Sequence, residues 1–394
     1  MILGIFFGVI VSVVNTRILG PEIYGNFKFI QSVYSFIAVI ISFGFVVTIS
    51  KLIAEKRNNQ IRQELIGSAV IISTVIGIVF VVIMIIFALV QDVFFAVDLK
   101  KEILIISPLF FFIPFVLGFE NILQGENKIY ELALYKLLPQ IIYIIFIIFL
   151  FKYGIISLKT AMAIHLCAFA LTSLWVIYIL KPKFCKLGNI LSIIFDENKK
   201  YGYQVYIGSV IGVATTQLGP IVISFFSSNN IDVGYFSLAL TITTPLMLIP
   251  TVVGTTMFKE FANRERISSK ATKLTVFISI ATLLIFLLSI KQVVILLYSE
   301  KFVDVVELAY IVAVGQILHG FGNYYNRFLG SKGEGKFLRN GAILVGVSNI
   351  SGFIFIVPLF GAQGAAYTKL VSGLVYTISL KYFYNKFIKR CNID

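Results

Sequence analysis

Charge is scarce in this chain. Only 13% of its 394 residues are Asp, Glu, Lys or Arg, while 58% are hydrophobic. A soluble domain carries about twice that charged share, and a soluble fold of this length could not hide so much apolar surface. Cysteine is sparse too. Cys167, Cys185 and Cys391 lie far apart, with neither a disulfide framework nor metal-ligand spacing. His165 and His319 are the only histidines, too isolated for a metal centre, so neither metal nor cofactor is expected. Acids are outnumbered, 19 against 33 Lys and Arg. Asp92 and Asp98, in QDVFFAVDLKKE, form no convincing catalytic pair, and there is no long outer loop. An integral-membrane enzyme generally needs one or the other, so the chain is not expected to be an enzyme. The N-terminus shows no basic n-region or small-residue cleavage site and is not expected to be a cleaved signal.

What the chain has is long apolar runs. Residues 66–90 contain no charge and are long enough for a helix, rising about 1.5 Å per residue, to cross roughly 30 Å of hydrocarbon. Twelve such spans are expected, near 2–18, 29–50, 65–90, 103–123, 137–151, 160–180, 203–226, 235–258, 274–298, 308–329, 341–357 and 364–384. Backbone in lipid must satisfy itself, so each is a helix. Loops on one side carry 22 Lys and Arg and those on the other carry 8. That asymmetry predicts both termini in the cytoplasm. It also explains most of the net charge of +14 without invoking nucleic acid. The longest loop, KPKFCKLGNILSIIFDENKK at 181–200, is basic and sits at the midpoint. The expected organisation is a bundle over 1–180, a cytoplasmic linker over 181–200 and a second bundle over 201–394.

The halves share punctuation. IYGNF at 23–27 pairs with DVGYF at 232–236, QGENK at 124–128 with KGEGK at 332–336, and Tyr153-Gly154 with Phe360-Gly361. The offsets are 209, 208 and 207, each at corresponding span ends. Six spans per half make the repeat parallel, and two like bundles facing a cavity suit alternating access by rocking. The fold class read from this is all-α integral membrane, twelve helices in two parallel-repeat six-helix bundles around a central cavity.

RILGPEIYGNF after the first span, LQGENK at 123–128, and PLFGAQGAAYTKLVSG at 358–373 resemble the polysaccharide (O-antigen type) flippases of the multidrug/oligosaccharidyl-lipid/polysaccharide exporter superfamily. The resemblance runs over essentially the whole chain. It implies a carrier that turns an undecaprenyl-pyrophosphate-linked oligosaccharide from the cytoplasmic to the periplasmic leaflet of the inner membrane. The partners it implies are that lipid-linked glycan, the bilayer and polysaccharide polymerase machinery. One departure stands out. Where the family often places an acidic–basic pair in span seven, this chain has TTQLGPIVISFF at 215–226, uncharged, and the repeat partner of Arg17 is Phe226.

A pyrophosphate cargo calls for cations at the cavity, because intramembrane charges tend to face cavities rather than lipid. Arg17, Lys28, Arg327 and Lys369 are candidates for substrate binding. For each the competing reading is an interfacial anchor that snorkels to the membrane surface. Thr216 and Gln217, with Gln204 and Thr215, make span seven polar, suited to lining the cavity or to hydrogen bonding between helices. Pro220, Pro245 and Pro250 would let spans seven and eight bend. Glu120 maps onto Arg327 through the repeat, as an ion pair or gate or as two separate interfacial charges. Glu120 and His319 are the candidates for ion coupling, and His165 has the same proton chemistry. A multidrug antiporter would have the same fold but favour acidic cavity residues, which are few here. A passive scaffold would not need the repeat or the polar residues within spans.

Overall fold

The computed structural model describes residues 2–55, 58–185 and 187–391. Among them the regular structure is helical and no strand occurs. The chain forms two compact units, one from Met1–Leu19 and Phe29–Val213, the other from Gly20–Lys28 and Ala214–Asp394. Nine helices among the described residues are long and apolar enough to cross a membrane, or ten if the bent pair 187–213 and 216–226, turned by 46°, forms one span. The protein is therefore a multi-pass membrane protein.

The first unit contains most of α1 (Ile2–Ile40), then α2 (Phe45–Glu55), α3 (Asn59–Phe94), α4 (Lys100–Ile106), α5 (Ile113–Gly125), α6 (Ile129–Lys152), α7 (Leu158–Leu180) and α8 (Leu187–Glu197). The expected fourth span is α4 and α5 joined by a tight 3-10 segment, Ser107–Phe112. Pro108 and Pro114 are the second residues of the 3-10 segment and of α5, in the first turn, where the N–H has no partner within the helix and its loss costs little. At the α8 end, Leu65, Phe119, Leu123, Tyr135 and Leu180 form a buried core. The expected second span is broken. After Ile40 the chain turns through Phe43 and Gly44, both at positive φ (45° and 81°), before α2 begins. The carbonyl freed at Phe43 accepts a 3.0 Å bond from Asn198 Nδ2, and Thr48 Oγ1 donates to Asn198 Oδ1 at 2.8 Å. Asn198 opens a single π-helical turn, Asn198–Gly202, after α8. One side chain from the linker thus satisfies a backbone group that the break left open.

α9 (Tyr203–Phe226) passes from the first unit into the second. The second unit continues with α10 (Ile231–Thr256), α11 (Phe258–Asn263), α12 (Ser269–Tyr298), α13 (Val305–Ser331), α14 (Gly335–Phe355) and α15 (Val357–Cys391). α13 is its central post, packed against α10 and α15. Glycine permits the contact. A Cβ on Gly315 would press on the backbone of Lys369 and Leu370, and one on Gly320 on the carbonyl of Met247. Small residues let helix backbones approach closely in a membrane, where no water drives them together. The expected twelfth span lies in α15, whose basic residues dilute its apolar character and whose helix is interrupted at Gly361. Gly361 has φ 54°, and Gly154, opposite it in the sequence repeat, has φ 69°.

The second unit also takes in residues 20–28, from the middle of α1. Gly20 leaves the helical region there (φ 72°) just before Pro21. The segment seats firmly. Gly25 lies on the carbonyl of Asn230 and against Gly234, Asn230 Nδ2 donates to Asn26 Oδ1 at 2.9 Å, and the Tyr24 ring meets Phe302 edge-on at 6.0 Å.

Candidate substrate-binding surface

In the second unit, α13 carries Gln316, His319, Asn323 and then Asn326 and Arg327. The steps of three and four residues place them on one helical face. α15 carries Lys369, Ser372 and Tyr376 at matching spacing. The His319 ring lies over Tyr376 at 4.6 Å between centroids, and the Tyr376 hydroxyl accepts from Asn326 Nδ2 at 3.1 Å. Asn323 Nδ2 reaches across to Thr251 Oγ1 on α10, also at 3.1 Å. Lys369 Nζ sits 5.6 Å from the centre of the Phe353 ring and is near enough to His319 to act on it electrostatically. Phe353 in turn packs against Gly219 of α9, two residues beyond Gln217. Arg327 is exposed and acts on Tyr376.

This is one polar seam of amides, phenol and imidazole with a half-buried lysine at one end and an exposed arginine at the other. Amide and phenol groups exchange hydrogen bonds with hydroxyls, while ammonium and guanidinium hold phosphate oxygens through charge-assisted bonds. Of the expected site residues, Arg327, Lys369 and His319 come together here. Gln217 is half-buried on the neighbouring part of α9, Thr216 is exposed, and Thr215 lies outside the described side chains. Lys28 is half-buried with Nζ 5.7 Å from the Tyr24 ring centre, in the segment that the second unit holds.

The first unit is different. Arg17 is exposed on α1, three residues before the break at Gly20. Glu120 is joined to Lys136 of α6 at 3.0 Å. The polar groups in mid-span are neutral hydrogen-bonding types. Tyr143 donates to Asn15 Oδ1 at 2.6 Å, the Tyr34 hydroxyl meets His165 Nε2 at 3.1 Å, and the His165 ring abuts Tyr143 and Phe169. Asn15 is buried, and its Nδ2 has no hydrogen-bond acceptor. No cluster of His, Cys, Asp and Glu that could hold a metal occurs among the described residues.

Reading residues singly missed Gln316, Asn323, Asn326 and Tyr376. The signal was present as the 3–4–3 spacing of polar residues in QILHGFGNYYNR. A cavity of about 360 Å³ lined by Asp232, Tyr235, Asp304, Glu307 and Gln363 was also not foreseen, because its acids come from the ends of different helices.

No curated protein matches the chain. Among solved structures, it is similar to the lipid II flippase MurJ in an inward closed conformation, with 18% identity, TM-score 0.77, and 98% of this chain and 87% of that one covered. It is also similar to a multidrug resistance MATE family transporter of the MOP superfamily in an inward-facing conformation, with 18% identity, TM-score 0.74 and coverage of 98% and 95%. A third, with 16% identity, TM-score 0.58 and coverage of 98% and 94%, is a MOP superfamily transporter from Pyrococcus furiosus, described as having a binding pocket of reverse polarity. These likenesses establish the fold of MOP-superfamily transporters. The family model for polysaccharide biosynthesis proteins matches residues 1–258, about two thirds of the chain, and the protein belongs to that family.

Proposed function

We propose that the protein is a flippase for a polyprenyl-pyrophosphate-linked oligosaccharide, moving it from the cytoplasmic to the outer leaflet of the inner membrane by alternating access. The observation that carries this reading is Lys369, half-buried on α15 beside the α13 amide and aromatic stripe, in a chain of the polysaccharide biosynthesis family. If α15 is the twelfth span, as this reading has it, a lysine there is costly and is kept where it serves a pathway or a partner. In this reading Lys369, Lys28, Arg327 and Arg17 meet the pyrophosphate and any acidic sugar. Asn323, Asn326, Tyr376, Thr216 and Gln217 meet hydroxyls, and the prenyl tail stays in lipid. Glu120 and His319 are the proposed ion-coupling groups. The proposed arrangement is twelve spans in two six-helix bundles, both termini cytoplasmic, serving a polymerase on the far side.

The test uses purified protein in vesicles. A short, fluorescent polyprenyl-pyrophosphate glycan in one leaflet should become accessible to a membrane-impermeant glycosidase on the other side, and a lipophilic cation dye should not be exported. Dye export without glycan movement would replace the flippase by the antiporter. Reporter fusions at Asn59, Asn198 and Lys332 should read cytoplasm, and one at Asn230 the opposite side. An external signal at Asn198 would overturn the orientation.

A further inference from the structure

The linker between α7 and α9 has a surface that transport does not explain. α8 has 11 residues, about 16 Å of helix, and runs on through the π-helical turn into α9. Its apolar face is wider than the protein covers. Ile190 and Ile194 are buried in the core of the first unit, whereas Ile193, Phe195 and, just before the helix, Phe184 are exposed. Tyr201 and Tyr203 extend that exposed rim beyond the helix. Lysines bracket it, with Lys181 and Lys183 ahead of α8 and Lys199 and Lys200 after it, all exposed. The acids do not cancel them. Glu197 is taken by Lys51 at 2.6 Å, which leaves Asp196 as the exposed acid of the helix.

The ends are also fixed. Lys183 N–H donates to the Gln63 carbonyl at 3.0 Å, and Asn198 holds the broken second span. The lysines are therefore presented at set positions.

We propose that this linker is a binding site for anionic phospholipid: acyl chains lie along Phe184, Ile193 and Phe195, and headgroup phosphates sit between the lysine pairs. A short helix with an apolar face and basic ends lies in the membrane interface, and clustered lysines beside a span attract anionic headgroups. The inference does not depend on what the protein transports.

The chain supplies its own reporter. Trp175, the single tryptophan, packs against the same core as Ile190 and Ile194. The full-length protein is placed in phosphatidylcholine vesicles containing a fixed fraction of phosphatidylglycerol, with bromine on the acyl chains of one lipid or the other. At low salt, brominated phosphatidylglycerol should quench Trp175 as if enriched beside it at least about fivefold, the gain one well-placed lysine gives at a membrane surface. The enrichment should shrink in high salt. It should disappear in a variant carrying K181Q, K183Q, K199Q and K200Q, and persist in K270Q/K273Q, which removes charge from another loop.

Equal quenching by the two lipids in the unmodified protein would overturn the proposal, and this arm needs no variant to fold. So would undiminished enrichment in the quadruple variant, or equal loss in the control. Abolition of the enrichment by millimolar glycerol phosphate would reassign the lysines to a soluble phosphate ligand.

Discussion

The two units solve the problem of charge in a membrane differently. In the first, ion pairs join Lys51 with Glu197, Arg62 with Glu126 and, a turn or two inside their helices, Lys136 with Glu120. Among its mid-span polar groups, Asn15, Tyr34, Tyr143 and His165 meet one another through hydrogen bonds and ring contacts. The second unit also has ion pairs, Arg264 with Glu260 and Arg390 with Glu334. It adds lysines inside apolar sequence, Lys28 over Tyr24 and Lys369 over Phe353. An aromatic face stabilises a cation without neutralising it. The second unit is therefore the half whose polar interior keeps positive charge, and the sharpest tests set one half against the other.

The largest effect is expected at Lys369. Lys369→Gln removes the charge from the seam and should lower glycan transport by about 10–100-fold, the worth of one hydrogen bond to a charged group, at unchanged membrane abundance. Lys369→Arg should keep part of the activity. Arg17 of the first unit is exposed, so Arg17→Ala should cost less, and Arg17→Lys less again, since it loses only the guanidinium fork. Surface glycan is read against protein level in the membrane. If Arg17→Ala is the more severe change at equal abundance, the charge asymmetry between the units is not functional.

Glycine substitutions should separate the halves by stability. Gly25→Ala drives a methyl into the Asn230 carbonyl, and backbone yields poorly, so a loss of about 2 kcal/mol is expected. Gly154→Ala meets no neighbour within 4 Å, and only its φ of 69° opposes it, at about 1 kcal/mol. Detergent-solubilised protein should show the larger fall in thermal midpoint for Gly25→Ala. Equal falls would mean that residues 20–28 are not seated on the second unit as described.

Single polar anchors come next. Asn198 serves both Phe43 and Thr48, and its loss leaves a carbonyl open at the break, so Asn198→Ala should cost about 1.5 kcal/mol. Asn326→Ala in the second unit loses one bond to Tyr376, worth about 1 kcal/mol. Hydrogen exchange at 41–48 should accelerate in the first variant and not in the second.

How far the sequence exposed this contrast depends on the kind of interaction. Helices and apolar spans were legible because lipid leaves the backbone one choice and the hydropathy pattern reports it directly. Lys369, Arg327 and His319 were legible as polar residues in apolar runs. Their assembly was not, since it needs Gly315 and Gly320 to let α13 approach α15 and α10, and glycine in a span reads equally as a bend. The break at Phe43-Gly44 was hidden because its satisfying partner, Asn198, lies 155 residues away. The seating of residues 20–28 on the second unit was hidden for the same reason, although IYGNF and DVGYF, the stretches that meet there, had been paired as repeats.

The smallest expected effect concerns Lys51 and Glu197, at the linker end of the first unit. The bond to Lys51 holds the Glu197 carboxyl below its usual range, and the same bond raises the Lys51 ammonium. A carboxylate depressed in the folded state contributes stability above its unfolded value, about 4.3 for Glu, and that contribution fades as pH falls through the depressed folded value. A raised ammonium contributes below its unfolded value, about 10.4 for Lys, and loses that contribution as pH climbs through the raised one. The pair's stabilisation is thus flat from weakly acidic to weakly alkaline pH and falls away on both sides. Both groups are solvent-exposed enough for salt to screen them. Glu197→Gln should therefore lower the thermal midpoint slightly at pH 7, with the gap to the unmodified protein closing below pH 4 and in high salt. A gap that persists unchanged under acid would mean that Glu197 acts by packing, and the first unit would be left with ion pairs such as Arg62 with Glu126 and Lys136 with Glu120.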